Sequence, residues 1–403
     1  MSTTQDFSWI QRLPKVSLHD HLDGGLQPAT VVEIAGEIGH KLPADSAEEL
    51  AAWFAEAADS RSLEKYLETF EHTLAVMQRA EDLRRVAREH VLTLAGDGVV
   101  YGEVRWAPEQ HTAAGLTMEQ AIEAVADGLH DGMEFIAHNG GRVLVNQIIC
   151  AMRQNDRSLE VAQLAVKYRR IGVVGFDLAG PEDGFPASKH RAALDYVAEH
   201  FLPVTLHAGE AAGLESIRSA LLDGRALRLG HGVRITEDFR YTTVGEIDPE
   251  GKLMPGADPA QPILQLGEAA SWVKDRRITL EVCPHSNLQT DAAYAVSEGK
   301  PSTEEWARTY EQHPVAALRE AGFSVAISPD NRLMSSTSIT REFADLAKNF
   351  GYGAADFFEL TVNAVEGAFV SMEEKQMLLR SIQGPYTQAI EAEAQAAQGG
   401  VSA

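Results

Sequence analysis

Short apolar runs that end on a polar residue recur eight times along the chain, with helical periodicity between them. The first enters through Lys15-Val-Ser-Leu and stops at His19. The others fall at 99–106 (VVYGEVRW), 143–152 (VLVNQIICAM), 173–179 (VVGFDLA), 202–207 (LPVTLH), 227–231 (LRLGH), 278–283 (ITLEVC) and 323–328 (FSVAIS). Runs this short and this rich in Val, Ile and Leu read as strands buried on both faces. Helical spacing fills 117–138, opened by the capping-box spelling Thr117-Met-Glu-Gln, and 302–321, opened by Ser302-Thr-Glu-Glu and stopped by Gly322. It also covers 191–200 and 262–275. Eight strands alternating with helices predict an α/β fold, a closed (β/α)8 barrel of the TIM type. An open doubly wound sheet is the alternative, but no Gly-x-Gly-x-x-Gly or Gly-x-x-x-x-Gly-Lys loop supports its nucleotide-binding version.

Two gaps break the rhythm. Between the first and second strands lie helical patterns at 46–57, 62–77 and 81–94. Leu63, Tyr66, Leu67 and Phe70 fall at i, i+3, i+4 and i+7, one apolar stripe that fits either core packing or a lid over a barrel mouth. The stretch 236–261, rich in Gly, Pro, Asp and Thr, predicts a polar surface excursion or hairpin after the sixth strand. The small polar residues that end the chain predict a fraying tail over 390–403. Residues 1–403 otherwise read as one domain, since α/β barrels run long as single units.

Composition narrows the partners. An apolar fraction of 44% and a charged fraction of 23% are ordinary for a globular protein. A net charge of −24 without a basic run argues against nucleic acid or an anionic membrane as partner, and leaves a small neutral molecule open. Cys150 and Cys283 form no Cys-x-x-Cys pair, and no signal-like or membrane-length apolar run occurs, so a cytoplasmic setting is expected. The sequence leaves the oligomeric state open.

In a parallel barrel, reactive groups gather past the C-terminal ends of the strands. Those positions hold His19, His21, Glu103, Arg153, Asp177, His207, Glu210, His231, the Cys-Pro-His-Ser-Asn of 283–287, and Asp330. His19 and His21, two apart on a strand, face one side. With His207 and Asp330 they make a donor set for one borderline metal, zinc above all, with room for a water whose pKa falls toward 7. His231 can orient that water or take its proton, and Glu210 can act as a separate acid. Such a pair suits hydrolytic attack on an electrophilic carbon. No lysine ends the fourth strand, which disfavours a carbamylated two-metal site, and no Pro-Cys-x-x-Cys is present for a cytidine-deaminase type of zinc site.

The motifs Ser-Leu-His-Asp-His-Leu-Asp-Gly (17–24), Asp-Leu-Ala-Gly (177–180), His-Ala-Gly-Glu (207–210) and Gly-His-Gly (230–232) resemble those of the adenosine deaminase family. Glu-Val-Cys-Pro (281–284) and Ser-Leu-Glu-Lys-Tyr-Leu (62–67) add to the likeness, which spans 13–383. The resemblance implies that His19, His21, His207 and Asp330 bind zinc, and that Glu210 protonates the purine N1 so that C6 becomes electrophilic. It implies that His231 positions or deprotonates the attacking water, that the Gly180 N–H meets N3, and that Asp23 binds the ribose hydroxyls. It makes the stripe of Leu63, Tyr66, Leu67 and Phe70 an apolar lid; ammonia leaves and inosine forms, a purine-salvage step. The chain departs from the family at 328–332 (Ser-Pro-Asp-Asn-Arg), where Asn331 replaces an acid that hydrogen-bonds N7. An Asn NH2 donates without needing a proton, so a purine still fits. Adenine or another 6-aminopurine compound, a nucleotide included, is the alternative substrate. A catalytically silent binding protein is a further one, and it predicts a damaged site. A nucleotide calls for clustered cations, of which Arg332 is a candidate, while Asp23 opposes a 5′-phosphate. Glu103, Arg153, His285 and Ser286 read as supporting hydrogen-bond groups.

Overall fold

The structure is a computed structural model and describes residues 7–242 and 263–399. All eight strands form, at β1 (Lys15–His21), β2 (Val99–Trp106), β3 (Leu144–Met152), β4 (Val173–Ala179), β5 (Thr205–Ala208), β6 (Arg228–His231), β7 (Thr279–Val282) and β8 (Val325–Ile327). They pair in parallel as two four-stranded sheets, β1 to β4 and β5 to β8 in chain order. Two isolated parallel bridges, Phe176 to Val204 and Asp20 to Asp330, join the sheets into a closed barrel. At the second seam the His21 N–H donates to the Asp330 carbonyl at 2.8 Å, and the Asp330 N–H donates to the His19 carbonyl at 3.1 Å. Against β2, β1 carries one extra residue between Ser17 and Asp20, so His19 sits in a bulge that re-aims its side chain.

The outer ring follows the helical signals closely in places. Thr117 caps Met118–His138 with a complete capping box. Helices Ala47–Ala58, Leu63–Glu68, Phe70–Ala75 and Ala80–Gly96 fill the first long gap. The apolar stripe is split there, because the Thr69 hydroxyl donates to the Tyr66 carbonyl and two short helices replace one.

Other expectations fail for local reasons. The expected helix over 302–321 starts only at Val315, as Val315–Glu320, while Lys300–Trp306 is a strand paired with Tyr294–Ser297. Ser302 does accept from the Glu304 and Glu305 N–H groups, but too few apolar residues follow at helical spacing to bury a face there. The expected helix over 262–275 is a helix only at Glu268–Asp275; Ile263–Leu266 pairs antiparallel with Phe239–Thr242 and makes the base of the expected hairpin. The rest of the 236–261 excursion, from 243, lies outside the described residues. The tail does not fray from 390: helix Met372–Gly399 carries on to Gly399, and only 400–403 of the expected tail lie outside the described residues. Among the described residues no helix is long and apolar enough to cross a membrane.

The barrel interior holds charged and polar side chains as well as apolar ones. Arg105, Glu103, Asp177, Gln147, Arg228 and Glu281 are buried on its strands. Glu281 accepts from Arg105 and Arg228, each at 2.6 Å, and from the Thr205 hydroxyl at 2.9 Å. Arg228 also donates to Glu103 at 2.6 Å and stacks on Phe369 at 3.7 Å. Buried ions survive only where every one is paired, and these are.

Candidate active site

At the C-terminal mouth, β1 presents His19 and His21, β5 presents His207, and Asp330 follows β8. One donor atom from each lies within 4.8 Å of the other three. His21 Nε2 and His207 Nε2 stand 3.2 Å apart, and Asp330 Oδ1 is 3.3 Å from His19 Nε2 and 3.4 Å from His21 Nε2. His19 Nε2 is buried without a hydrogen-bond partner. Three imidazole nitrogens and one carboxylate oxygen converging on one point, one nitrogen orphaned, fit a divalent metal. Gly230 makes this possible, since a Cβ there would sit 3.0 Å from the His207 Cα and 3.1 Å from His19 Cε1.

The far side of two of these imidazoles faces a carboxylate. His19 Nδ1 meets Glu281 Oε2 at 3.1 Å, and His207 Nδ1 lies 2.8 Å from Asp177 Oδ2. Arg105 bridges both carboxylates, at 2.9 Å to Asp177 and 2.6 Å to Glu281. Burial works against ionising Glu281, but Arg105 and Arg228 override it and hold the carboxyl well below the usual range. Burial pushes the His207 imidazole down to about 4, so it is neutral near pH 7, as a ligand must be. Ser286 donates to Asp330 Oδ2 at 2.6 Å.

Glu210 and His231 face this cluster. Glu182, buried three positions past Ala179, accepts from the Gly209, Glu210 and Ala212 N–H groups at 2.7, 3.0 and 2.9 Å and so shapes the His-Ala-Gly-Glu turn. Burial, and then the carboxylates of Asp330 and Glu182, push the Glu210 carboxyl well above its ordinary range and favour its neutral acid form. His231 Nε2 lies 3.5 Å from Glu210 Oε2.

A cavity of about 320 Å³ opens between these groups and the helices Leu63–Glu68 and Phe70–Ala75. It brings together His21, Asp23, Gly180, His207, Glu210, His231, Asp330 and Asn331, and the stripe residues Leu63, Tyr66, Leu67 and Phe70 cover it. Asp23 Oδ1 and Asn331 Oδ1 are buried without partners. Asn331 packs on Gly24, where a Cβ would stand 1.9 Å from its Oδ1. His19 belongs to the donor cluster and does not line the cavity.

Several strand-end residues belong elsewhere. Arg332, the phosphate candidate, is buried and donates to Asp20 at 2.8 Å and Asp97 at 3.0 Å, so it is not free for a ligand. Arg153 ties the carbonyls of Leu178, Phe185 and His207 together, Glu103 pairs with Arg228, and the His285 ring faces Tyr310. Glu182, Glu281, Arg105 and Asn287 went unassigned from the sequence. Their roles have no local signature, because their side-chain partners lie 26 to 262 residues away.

The fold is a parallel α/β barrel that carries a candidate metal centre at its C-terminal mouth. A Burkholderia ambifaria amidohydrolase solved with bound Zn shares the fold at a TM-score of 0.76 and 19% identity, covering 98% of this chain and 96% of that one. Within this class the assignment narrows: the family model for adenosine deaminase matches residues 14–385, and the chain belongs to that family. It is 46% identical over 386 residues to adenosine deaminase 1 of Streptomyces coelicolor, covering 96% of this chain and 90% of that protein. To the adenosine deaminase of Mycobacterium leprae it is 43% identical, covering 96% of this chain and 98% of that protein. An Arabidopsis N6-mAMP deaminase structure matches with a TM-score of 0.72 and 26% identity, covering 93% and 98% of the two chains.

Proposed function

We propose that this chain is a zinc-dependent adenosine deaminase that converts adenosine and 2′-deoxyadenosine, with water, to inosine or deoxyinosine and ammonia. Cytoplasmic purine salvage is its setting, and residues 1–403 act as one unit. The observation that carries the reading is the four-donor cluster of His19, His21, His207 and Asp330 set opposite a buried, neutral Glu210 across a covered cavity. The curated relatives above, named for adenosine deamination, support it. A zinc ion held by His19, His21, His207 and Asp330 would supply Lewis-acid chemistry that makes water a nucleophile near neutral pH. Glu210 protonates the purine N1, which draws electron density from C6. His231 and Asp330 would orient the attacking water toward C6. The Gly180 N–H meets N3, Asp23 takes the ribose hydroxyls, Asn331 donates to N7, and the lid stripe excludes bulk water.

A nucleoside fits better than a nucleotide. Among the described residues no Lys or Arg lines the cavity, whereas Asp23, Glu68 and Glu71 do. A 5′-phosphate would meet carboxylates instead of the cations that phosphate recognition needs. Loss of adenosine absorbance, followed beside adenine, AMP and an adenosine thioether, tests the assignment. Turnover should be fastest with adenosine, and its absence with adenosine sinks the reading. Glu210→Gln should lower kcat by at least about 100-fold while about one zinc per chain stays bound. Near-normal turnover would remove Glu210 as the acid.

A further inference from the structure

We infer that His231 presents an N–H, and not a lone pair, to the active-site cavity, and that a buried relay through Asn287 and His313 fixes it in that form. This deepens the proposed function, and rests on it for the identity of the oxygen that His231 faces. Two roles stand open for this residue there, taking a proton from the water or orienting it. The hydrogen bonds behind the ring choose between them.

The chain of bonds starts at a group whose polarity is not in question. The Val315 backbone N–H can only donate, and it points at His313 Nδ1 at 3.1 Å. His313 Nδ1 is therefore an acceptor, and the proton of the neutral ring is on Nε2. Burial pushes this imidazole down to about 3, so it is neutral throughout the physiological range. His313 Nε2–H then donates to Asn287 Oδ1 at 3.3 Å, which settles which end of the carboxamide is oxygen. The other end, Nδ2, lies 2.9 Å from His231 Nδ1 and donates to it. With Nδ1 accepting, the proton of neutral His231 is on Nε2, the nitrogen turned to Glu210 at 3.5 Å and to the cavity. His231, Asn287 and His313 are each about 1% exposed, so no bulk water competes along the relay.

An imidazole in this state orients the attacking oxygen by donating to one of its lone pairs. It cannot take a proton at the same nitrogen. Asn287 and His313 are thus positioning residues: neither lines the cavity, and both act through His231.

The test is nitrogen NMR of zinc-loaded full-length protein carrying 15N-histidine, with the His231 signals identified by their loss in His231→Asn. The resting wild-type enzyme should show His231 protonated at Nε2 and bare at Nδ1. Protonation at Nδ1 overturns the inference. Asn287→Asp keeps the shape and still accepts from His313, but offers His231 a carboxylate that demands an Nδ1–H. The His231 proton should move to Nδ1 and kcat should fall at least about 100-fold, with KM within about threefold and zinc content and Tm close to wild type. An Asn287→Asp protein that keeps the wild-type ring signals or the wild-type kcat overturns it too. Should that variant not fold, His313→Gln and His313→Leu give the same reading. Gln restores a donor to Asn287 and should preserve the ring state and most of kcat, while Leu should lose both; equal behaviour of the two overturns the relay. The NMR readout needs no substrate, so inactivity on adenosine would count against the proposed activity and leave the ring state standing.

Discussion

His231 and Asp330 hold φ at 61° and 63°, a left-handed conformation that side chains other than glycine adopt at a cost of about 1–3 kcal/mol each. Each is a strand-end residue whose backbone turns out of the barrel while its side chain turns back over it. Asn331, next to one of them, gives a prediction of its own. An amide donates to a purine nitrogen at any pH, whereas a carboxyl donates only while protonated. In Asn331→Asp, kcat/KM should therefore fall as pH rises through the new carboxyl's pKa, over a range where wild type changes little. Superimposable pH profiles would take Asn331 out of substrate contact. Glu210 sets the wild-type limb in the same sense: its acid form is the active one, so activity is present below its raised pKa and lost above it.

Between the residue and the barrel, one short helix holds much of the site together. Within Pro284–Gln289, Ser286 bonds Asp330 and Asn287 bonds His231, while the Gln289 carbonyl accepts the Arg61 N–H at 2.7 Å. The Gln289 side chain accepts from Ser335 at 2.8 Å, and Ser335 in turn meets the Tyr66 hydroxyl at 3.0 Å. The helix that carries catalytic supports also latches the lid. Tyr66→Phe removes the latch and keeps the apolar cover. It should raise KM for adenosine about tenfold, the worth of roughly one buried hydrogen bond, with zinc content unchanged. An unaltered KM would show that apolar packing alone closes the lid. The Cys-Pro-His-Ser-Asn stretch stood out in the sequence, but its His, Ser and Asn bond to groups 25 to 57 positions away, and nothing local announces that. The converse error occurred at Ser302, where a capping spelling sat in front of a segment with no face to bury.

For the whole molecule, the decisive feature is a barrel closed by polar bonds and filled by paired ions. Arg332 bolts the loop after β8 to Asp20 on β1 and to Asp97 ahead of β2, across the seam where the two sheets meet. Arg332→Met would leave two carboxylates buried without their cation. It should cost about 3–5 kcal/mol, read as a lower midpoint in urea unfolding with the m-value retained. A change under about 1 kcal/mol would mean that solvent already reaches the seam. The same pairing explains why the interior is not purely aliphatic: the imidazoles of His19 and His207 have carboxylates behind them, and those carboxylates need an arginine beneath.

The eight strands and their parallel order were determined by the sequence alone, because strand periodicity is a local property of the chain. Strand-end position also picked out His19, His21, His207 and Asp330, which the structure brings within 4.8 Å of one another. The resemblance of the joined motifs added Glu210, His231, Asp23 and Gly180 as candidates, and all four line one cavity. Only the tertiary structure decided what Arg332, Glu182, Glu281 and Asn287 do, and which nitrogen of His231 carries its proton. Those outcomes depend on buried bonds between residues far apart in the chain, and a hydrogen bond has no partner until folding brings one within about 3 Å.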